Sequence, residues 1–274
     1  MTLKAKGIEK GIMITLLVIG GLLMMVPFIW MLGSSFKPEN EFTVIPPALF
    51  PEHPTFNNYR DLFVKMDFLV YLKNTLIIVL CSFAGLFLNA MAGYAFAKFD
   101  FPGRDKFFYI ILGTMMIPGQ VTMIPTYLII NKMGLVNTMA GIVLPGLVGA
   151  FAIFLFRQFM TTIPMDLLEA ARLDGAGELR IFFQLMVPIV KPVFAVQGIL
   201  TFIGAWNSFL WPLIIANDEK LYTLSVGLSL LKGQYGTAFG LQMAGAAFMV
   251  VPIVIIFIFF QKHIIEGYTI SGMK

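Results

Sequence analysis

The residues of this sequence that are best placed to contact a ligand are uncharged side chains inside long apolar runs. They combine amides, hydroxyls and aromatic rings: Asn89, Gln120, Thr126, Tyr127, Gln197, Trp206, Asn207 and Gln242. Such a set suits a sugar ligand, because the C–H faces of a sugar pack on aromatic rings while its hydroxyls hydrogen-bond to amides. We therefore take Gln120, Tyr127, Trp206 and Asn207 as candidate residues of a substrate pathway. Interfacial aromatic belts and interhelical hydrogen bonds also account for them.

Several other kinds of chemistry lack the residues they need. No G-x-x-x-x-G-K-[ST] loop occurs, so we do not expect this chain to bind and hydrolyse ATP. His53, His263 and Cys81 offer no pair with metal-ligand spacing. No ionisable residue lies deep in an apolar run, whereas proton-coupled transporters and intramembrane enzymes usually need one. The sequence therefore predicts that this chain is not an enzyme and holds no cofactor or metal. It also predicts that the energy for its function comes from a partner.

The elements that must position these residues are membrane-spanning helices. The chain is 58% hydrophobic and 12% charged, whereas soluble domains carry about 25% charged residues. A span needs roughly 20 apolar residues. The uncharged runs predict an all-α integral membrane protein with a single transmembrane domain over 1–274 and six spans, at about 12–32, 74–97, 107–131, 138–157, 192–214 and 240–261. Residues of about 37–72 form an outer loop, with a short helix between Thr55 and Leu72.

The distribution of basic residues predicts the orientation. With six spans and a cytoplasmic N-terminus, the inner segments hold twelve lysines and arginines and the outer segments seven, out of 19. Basic residues favour cytoplasmic loops. Both termini are therefore predicted to be cytoplasmic. The net charge of +4 needs no nucleic acid to explain it.

Helix breakers and small residues punctuate the predicted spans. The prolines are Pro118, Pro125, Pro145, Pro212 and Pro252, and the small-residue sets are Ala90, Gly93 and Ala97, and Gly240, Ala244 and Ala247. In lipid, carbonyls freed by proline need partners in neighbouring helices, and small residues let helices approach closely. Both features predict a packed bundle. Leu221–Leu231 is uncharged but too short to cross, and is predicted to be a surface or re-entrant segment.

Residues of about 161–191, which we call the coupling loop, carry charges between two apolar runs. Thr161 or Thr162 is predicted to cap a helix that has Pro164 at its first position. Leu167, Leu168 and Ala171 share one face of that helix. Gly175 provides the bend, because glycine tolerates the left-handed conformation, and a second helix follows from about 177 to 187.

The spacing within the coupling loop resembles a known pattern. Glu169-Ala170-Ala171 is followed after three residues by Gly175, and after nine more by Leu185-Met186-Val187-Pro188. This resembles the Glu-Ala-Ala loop of binding-protein-dependent ABC importer permeases, whose usual ending is Ile-x-Leu-Pro. The resemblance implies a type I ABC importer permease fold in which the loop forms a cytoplasmic coupling helix. It assigns ATPase coupling to Glu169, Ala170, Ala171, Asp174, Gly175, Ala176 and Pro188.

Other stretches resemble the carbohydrate branch of that family, and specifically its second, maltose-type permease. They are the Met116–Tyr127 and Gly134–Pro145 patterns, Ala205-Trp206-Asn207-x-Phe209-x-Trp211-Pro212-Leu213, and a C-terminal Gly267-Tyr268-Thr269-x-x-Gly272-x-Lys274. Ser208 stands where an acidic residue is usual, which weakens any expectation of a charge there. In that branch most sugar contacts come from the other permease, so the resemblance implies few here.

The resemblance implies the following partners: a dimer of cytoplasmic ATP-binding subunits that carries ATP and Mg, a second permease subunit, an extracytoplasmic solute-binding protein, and membrane lipid. The implied location is a bacterial-type plasma (inner) membrane, crossed several times. The segment Asp218–Gly240 corresponds to the outer loop that inserts into the binding protein. The function implied is ATP-driven import of sugars or oligosaccharides. Two alternatives stay open: a glycerol-phosphate or other polyol importer, and a secondary transporter or membrane enzyme working alone.

Overall fold

All regular structure in the described part of the chain is helical. The computed structural model describes the backbone of residues 2–46, 48–234 and 238–271, and the side chains of 9–46, 48–231 and 238–261. The α-helices are α1 (Thr2–Ser34), α2 (Asn57–Lys65), α3 (Phe68–Lys98), α4 (Arg104–Thr114), α5 (Gly119–Lys132), α6 (Met139–Val143), α7 (Ala150–Thr161), α8 (Asp166–Leu173), α9 (Glu178–Ile181), α10 (Val187–Ile189), α11 (Lys191–Trp206), α12 (Leu210–Ile215), α13 (Leu224–Gln234) and α14 (Phe239–Ser271). The predicted short helix of the outer loop is confirmed as α2.

Five stretches of this chain are long and apolar enough to cross a membrane. They are Glu9–Ser34, Phe68–Lys98, Met139–Thr161, Lys191–Ile215 and Phe239–Gln261. The remaining predicted span, 107–131, corresponds to α4 and α5, which meet at an angle of 106°. The described residues therefore contain five candidate spans, or six if this bent pair counts as one, and the six-span count stays a prediction.

Prolines interrupt the spans at three of the predicted places. Pro118 stands immediately before α5, at the sharp bend. Pro145 lies in a 3₁₀ turn, Leu144–Gly146, that separates α6 from α7. Pro212 lies in α12, just after the non-helical residues that follow α11. Pro125 and Pro252, in contrast, lie within continuous helices.

The chain divides into two compact units, and the first comprises Met1–Asp67 and Leu228–Val250. Here the Asn58 amide donates to the carbonyls of Ser35 and Lys37, both at 2.8 Å. Glu39 accepts from the backbone N–H groups of Phe239 and Gly240, and so satisfies the start of α14. A Cβ at Gly240 would meet the Asn58 amide at 2.6 Å. The predicted close approach at the small residues of the last span is therefore present.

The second unit comprises Phe68–Gly227 and Val251–Lys274, and its centre is the packing of α3 on α7. A Cβ at Gly93 would lie 2.6 Å from Phe156 Cβ and 2.9 Å from Arg157 N. Ala90 is completely buried beside it. At this point only small residues let the two helices approach so closely, as the sequence predicted.

The Leu221–Leu231 segment was predicted to be a surface or re-entrant segment, and the structure contradicts the first of these alternatives. Most of it forms the first part of α13, and Leu224 and Val226 are completely buried. The Thr223 hydroxyl donates to the Ser208 carbonyl, and Thr75 accepts from Leu224 N–H. The sequence rule used length alone, whereas these contacts bury the start of α13; the re-entrant alternative stays a prediction.

Candidate functional site

The coupling loop forms two helical arms joined by a bend. The first arm is α8, and its start differs from the prediction. Thr161 ends α7 and its hydroxyl bonds to the Arg157 carbonyl, while Thr162 bonds to Phe159, so neither caps α8. Pro164 lies two residues before the first helical residue. Both hydroxyls donate to carbonyls one turn back in α7, so neither is available to cap α8.

Gly175 makes the bend that the sequence predicted. Its φ of +80° is left-handed, and an added Cβ would meet no atom within 4 Å. The need for glycine here is therefore conformational rather than steric. The N–H groups of Gly175 and Ala176 bond to the carbonyls of Arg172 and Ala171, which closes the end of α8.

The second arm is longer than predicted and contains a π-helical turn. After α9 the chain is π-helical over Phe182–Met186 and returns to α-helix in α10, which includes Pro188. Helical structure therefore continues past Pro188 to Ile189, two residues beyond the predicted end. Single π turns inside helices are frequent at functional sites.

The inner face of the coupling loop packs into the core of the second unit. Leu168, Ile181 and Met186 have at most 1% of their surface exposed. They belong to one cluster with Phe156 and Met160 of α7. Leu168 and Ala171 thus share an inner face, as predicted, but Leu167 does not, because 46% of it is exposed. Both arms are held by apolar burial on the helix that leads into the loop.

A polar contact also joins the loop to α3. Glu178 accepts a hydrogen bond from Arg172 Nε at 2.7 Å and another from the Tyr94 hydroxyl at 2.9 Å. The bond from Arg172 holds the pKa of the Glu178 carboxyl below its usual range, and the same bond raises the pKa of Arg172. Glu178 therefore connects α8, α9 and the end of α3. Sequence reasoning missed this residue, because its partners are 6 and 84 positions away.

The outer face of the coupling loop is open. Glu169, Ala170, Asp174 and Gly175 are exposed, as is Pro188, while Ala171 and Ala176 are half-buried against the inner core. Leu173 is 89% exposed, although it is a leucine in the middle of this surface. The structure thus brings Glu169 to Gly175 together on one surface and leaves Pro188 in the second arm. Leu173 was not singled out from the sequence, and it is the most exposed of the described leucines of the coupling loop.

A second candidate site is a cavity of about 530 Å³ in the second unit. It lies between α3, α5, α11 and the residues around Pro145. Its polar lining includes Ser82, Asn89, Thr122, Thr126, Gln197 and Thr201. None of the described lining residues is Asp, Glu, Lys, Arg or His.

The four predicted pathway residues do not line this cavity, although each lies beside a residue that does. Gln120 and Asn207 are exposed, and Tyr127 is half-buried. Trp206 is 4% exposed and stacks on Phe202, with ring centroids 5.5 Å apart. Their role in a substrate pathway stays a prediction. Gly119, Thr126, Ala205 and Ser208, the neighbouring residues in the chain, line the cavity instead.

Comparison with known proteins agrees with this architecture. Residues 85–269 match the family model described as binding-protein-dependent transport system inner membrane component. The arabinooligosaccharides transport system permease protein AraQ of Bacillus subtilis is 38% identical over 92% of both chains. The diacetylchitobiose uptake system permease protein NgcG of Streptomyces coelicolor is 33% identical over 91% of this chain and 84% of its own. The sn-glycerol-3-phosphate transport system permease protein UgpE of Brucella abortus is 30% identical over 92% and 93%.

A solved structure is also similar over nearly the whole chain. It is the crystal structure of a bacterial ABC transporter involved in the import of the acidic polysaccharide alginate, with a TM-score of 0.85 and 25% identity over 94% of this chain and 97% of that one. The relatives are transport permease subunits rather than enzymes, and the apolar helices place the chain in the membrane. The chain therefore belongs to the family of binding-protein-dependent transport system inner membrane components.

Proposed function

We propose that this chain is one of two permease subunits of an ATP-driven, binding-protein-dependent importer of sugars or oligosaccharides. ATP and Mg act on a partner dimer of ATP-binding subunits, and a solute-binding protein delivers the sugar from outside. The chain crosses a bacterial-type inner membrane with both termini in the cytoplasm. Relatives named for arabino-oligosaccharides and diacetylchitobiose support the sugar class.

The observation that carries the proposal is the two-sided coupling loop. Its inner face is fixed to α7 by Leu168 and to α3 through Glu178, so the loop moves with these helices. Its outer face exposes Glu169, Ala170 and Leu173. The ATP-binding subunit binds this outer face, and Glu169 pairs with a basic residue of that subunit. Closure of the ATP-binding dimer then moves the loop as a rigid body, and the attached spans expose a central site alternately to each side.

The docking role is tested with Leu173→Asp in the full transporter of the source bacterium. Leu173 is 89% exposed, so the change should not affect folding. A charge in a desolvated contact is unfavourable, and we expect loss of the copurifying ATP-binding subunit and of ATP-dependent sugar uptake. Leu49→Asp is the matched control, because it changes a leucine that is 57% exposed in the predicted outer loop. An ATP-binding subunit that still copurifies in full amount with Leu173→Asp would refute the docking assignment.

A second candidate function is import of glycerol phosphate, which the similarity to UgpE favours. A phosphate ligand favours a basic group in its path, whereas the described lining of the cavity has none. We therefore rank it below sugar import. Competition of labelled arabinotriose uptake by a hundredfold excess of glycerol 3-phosphate separates the two. Inhibition by the phosphate would favour the second candidate.

A further inference from the structure

The loop after α1 contains an uncharged stretch between two glutamates, Glu41 and Glu52. We call residues 42–46 and 48–51 of this stretch the apolar lobe. Its large apolar side chains that are more than half exposed are Val44 at 52%, Ile45 at 91%, Leu49 at 57% and Phe50 at 62%. Exposed groups of large apolar side chains mark contacts with proteins or with membranes.

A lysine is buried beneath the apolar lobe. Lys37 is 2% exposed, and its amine donates to the backbone carbonyl of Ala48. The same amine lies 5.9 Å from the ring centroid of Trp30 and 5.8 Å from that of Phe42, within the range of cation–π contacts. The positive charge is therefore turned to the inside of the lobe.

A glutamate closes the base of the apolar lobe. Glu41 is 9% exposed, and its carboxylate accepts from the backbone N–H groups of Glu52 and His53 at 3.1 and 2.9 Å. A loop in water usually has its charged side chains outside and its apolar side chains inside. In the apolar lobe this order is reversed, which an apolar environment around the lobe explains.

The apolar lobe also lies against a membrane span. Gly33 belongs to the candidate span Glu9–Ser34, and a Cβ at Gly33 would lie 3.0 Å from the Leu49 carbonyl oxygen and 3.5 Å from the Phe50 ring. No part of the most apolar window of that span is buried. One protein partner can cover only one side of such a helix, so lipid faces the rest of it. Through the contact at Gly33 this exposed apolar surface continues onto the lobe.

We propose that the apolar lobe inserts into the lipid at the end of α1, with phospholipid acyl chains as the partner of Ile45, Leu49 and Phe50. Interfacial segments of this kind bury their apolar face about 5–10 Å into the boundary between headgroups and acyl chains. The lobe thereby anchors α1 at a fixed depth. The inference needs only the membrane location of the chain and not the sugar class of the proposed function. Because the coupling loop belongs to the other compact unit, Leu49→Asp still serves as a control for copurification of the ATP-binding subunit.

The test places a photo-crosslinking residue in the complete transporter, reconstituted in vesicles of tritiated phosphatidylcholine. The variants are Ile45→p-benzoylphenylalanine and Phe50→p-benzoylphenylalanine, both at mostly exposed side chains, so assembly should be retained. The same replacement of His53 is the matched control, because His53 is exposed and follows the lobe directly after the contact with Glu41. We expect at least about tenfold more lipid adduct at Ile45 and Phe50 than at His53, because burial of one such side chain favours an apolar phase by about that factor.

Each other outcome would overturn the inference. An adduct with a protein chain at both lobe positions would show that the second permease or the binding protein covers the lobe. No adduct at either position would place the lobe in water. Equal lipid adduct at His53 would show collision with lipid rather than insertion of the lobe. A transporter without ATP-dependent sugar uptake would refute the proposed function and leave this inference in place, because lipid adducts form without transport.

Discussion

Replacement of Glu178 by alanine should loosen the coupling loop without unfolding the protein. The carboxylate is the shared acceptor of Arg172 and the Tyr94 hydroxyl. Tyr94 is 5% exposed, so its hydroxyl would lose a partner in a largely buried position. The apolar cluster around Leu168 would remain in place, since none of its members is changed.

The size of the effect follows from the exposure of each partner. The Arg172 and Glu178 side chains are 34% and 42% exposed, so solvent screens this pair and it contributes about 0.5 kcal/mol. An unsatisfied buried hydroxyl costs about 1–3 kcal/mol. The sum for Glu178→Ala is about 1.5–3.5 kcal/mol, which corresponds to an increase of at least about 10-fold in the opening constant of the loop.

Hydrogen exchange of the α8 amides in the detergent-solubilised protein measures this opening. We expect exchange at least about 10-fold faster in Glu178→Ala. In a Tyr94→Phe background the same change should accelerate exchange only about twofold, because only the screened pair is lost. Glu169→Ala is the control, because Glu169 is exposed and makes no hydrogen bond to α3 among the described residues. Equal acceleration with and without the Tyr94 hydroxyl would refute the connection between the loop and α3.

Three further results are expected. Gly175→Ala should lower the free energy of unfolding by about 1 kcal/mol, measured by thermal unfolding, because φ at this residue is +80°. Gly177→Ala should not, because φ there is −73° and the added Cβ has equally open space. Gly93→Ala should cost about 1–3 kcal/mol and lower the yield of folded protein, because its Cβ would lie 2.6 Å from Phe156 Cβ; Gly113→Ala, with open space, should not. The pKa of the Glu178 carboxyl is lowered, so this group stays ionised and keeps its hydrogen bonds above the usual glutamate pKa of about 4.3. The hydrogen exchange of α8, corrected for intrinsic rates, should therefore be constant from about pH 6 to 8 and rise only in acid, where the carboxyl is protonated.

The bend and the spans were predictable because both are local properties of the chain. A left-handed turn needs glycine, and Gly175 stands between two short amphipathic stretches. Apolar runs of span length need no tertiary information to be found. The start of α8 was not predictable in the same way. The Thr161 and Thr162 hydroxyls had acceptors both before and after them, and the preceding helix satisfied them.

The sequence by itself determined five of the apolar runs that are long enough to cross a membrane, where the coupling loop bends and which loop carries charge, because length, composition and glycine chemistry act over a few residues. Only the tertiary structure decided that Glu178 meets Tyr94, and that Gln197 rather than Gln120 lines the cavity. A span that is apolar on every side has no preferred face in its sequence. Which of its few polar side chains turns inward is therefore fixed by the helices packed around it.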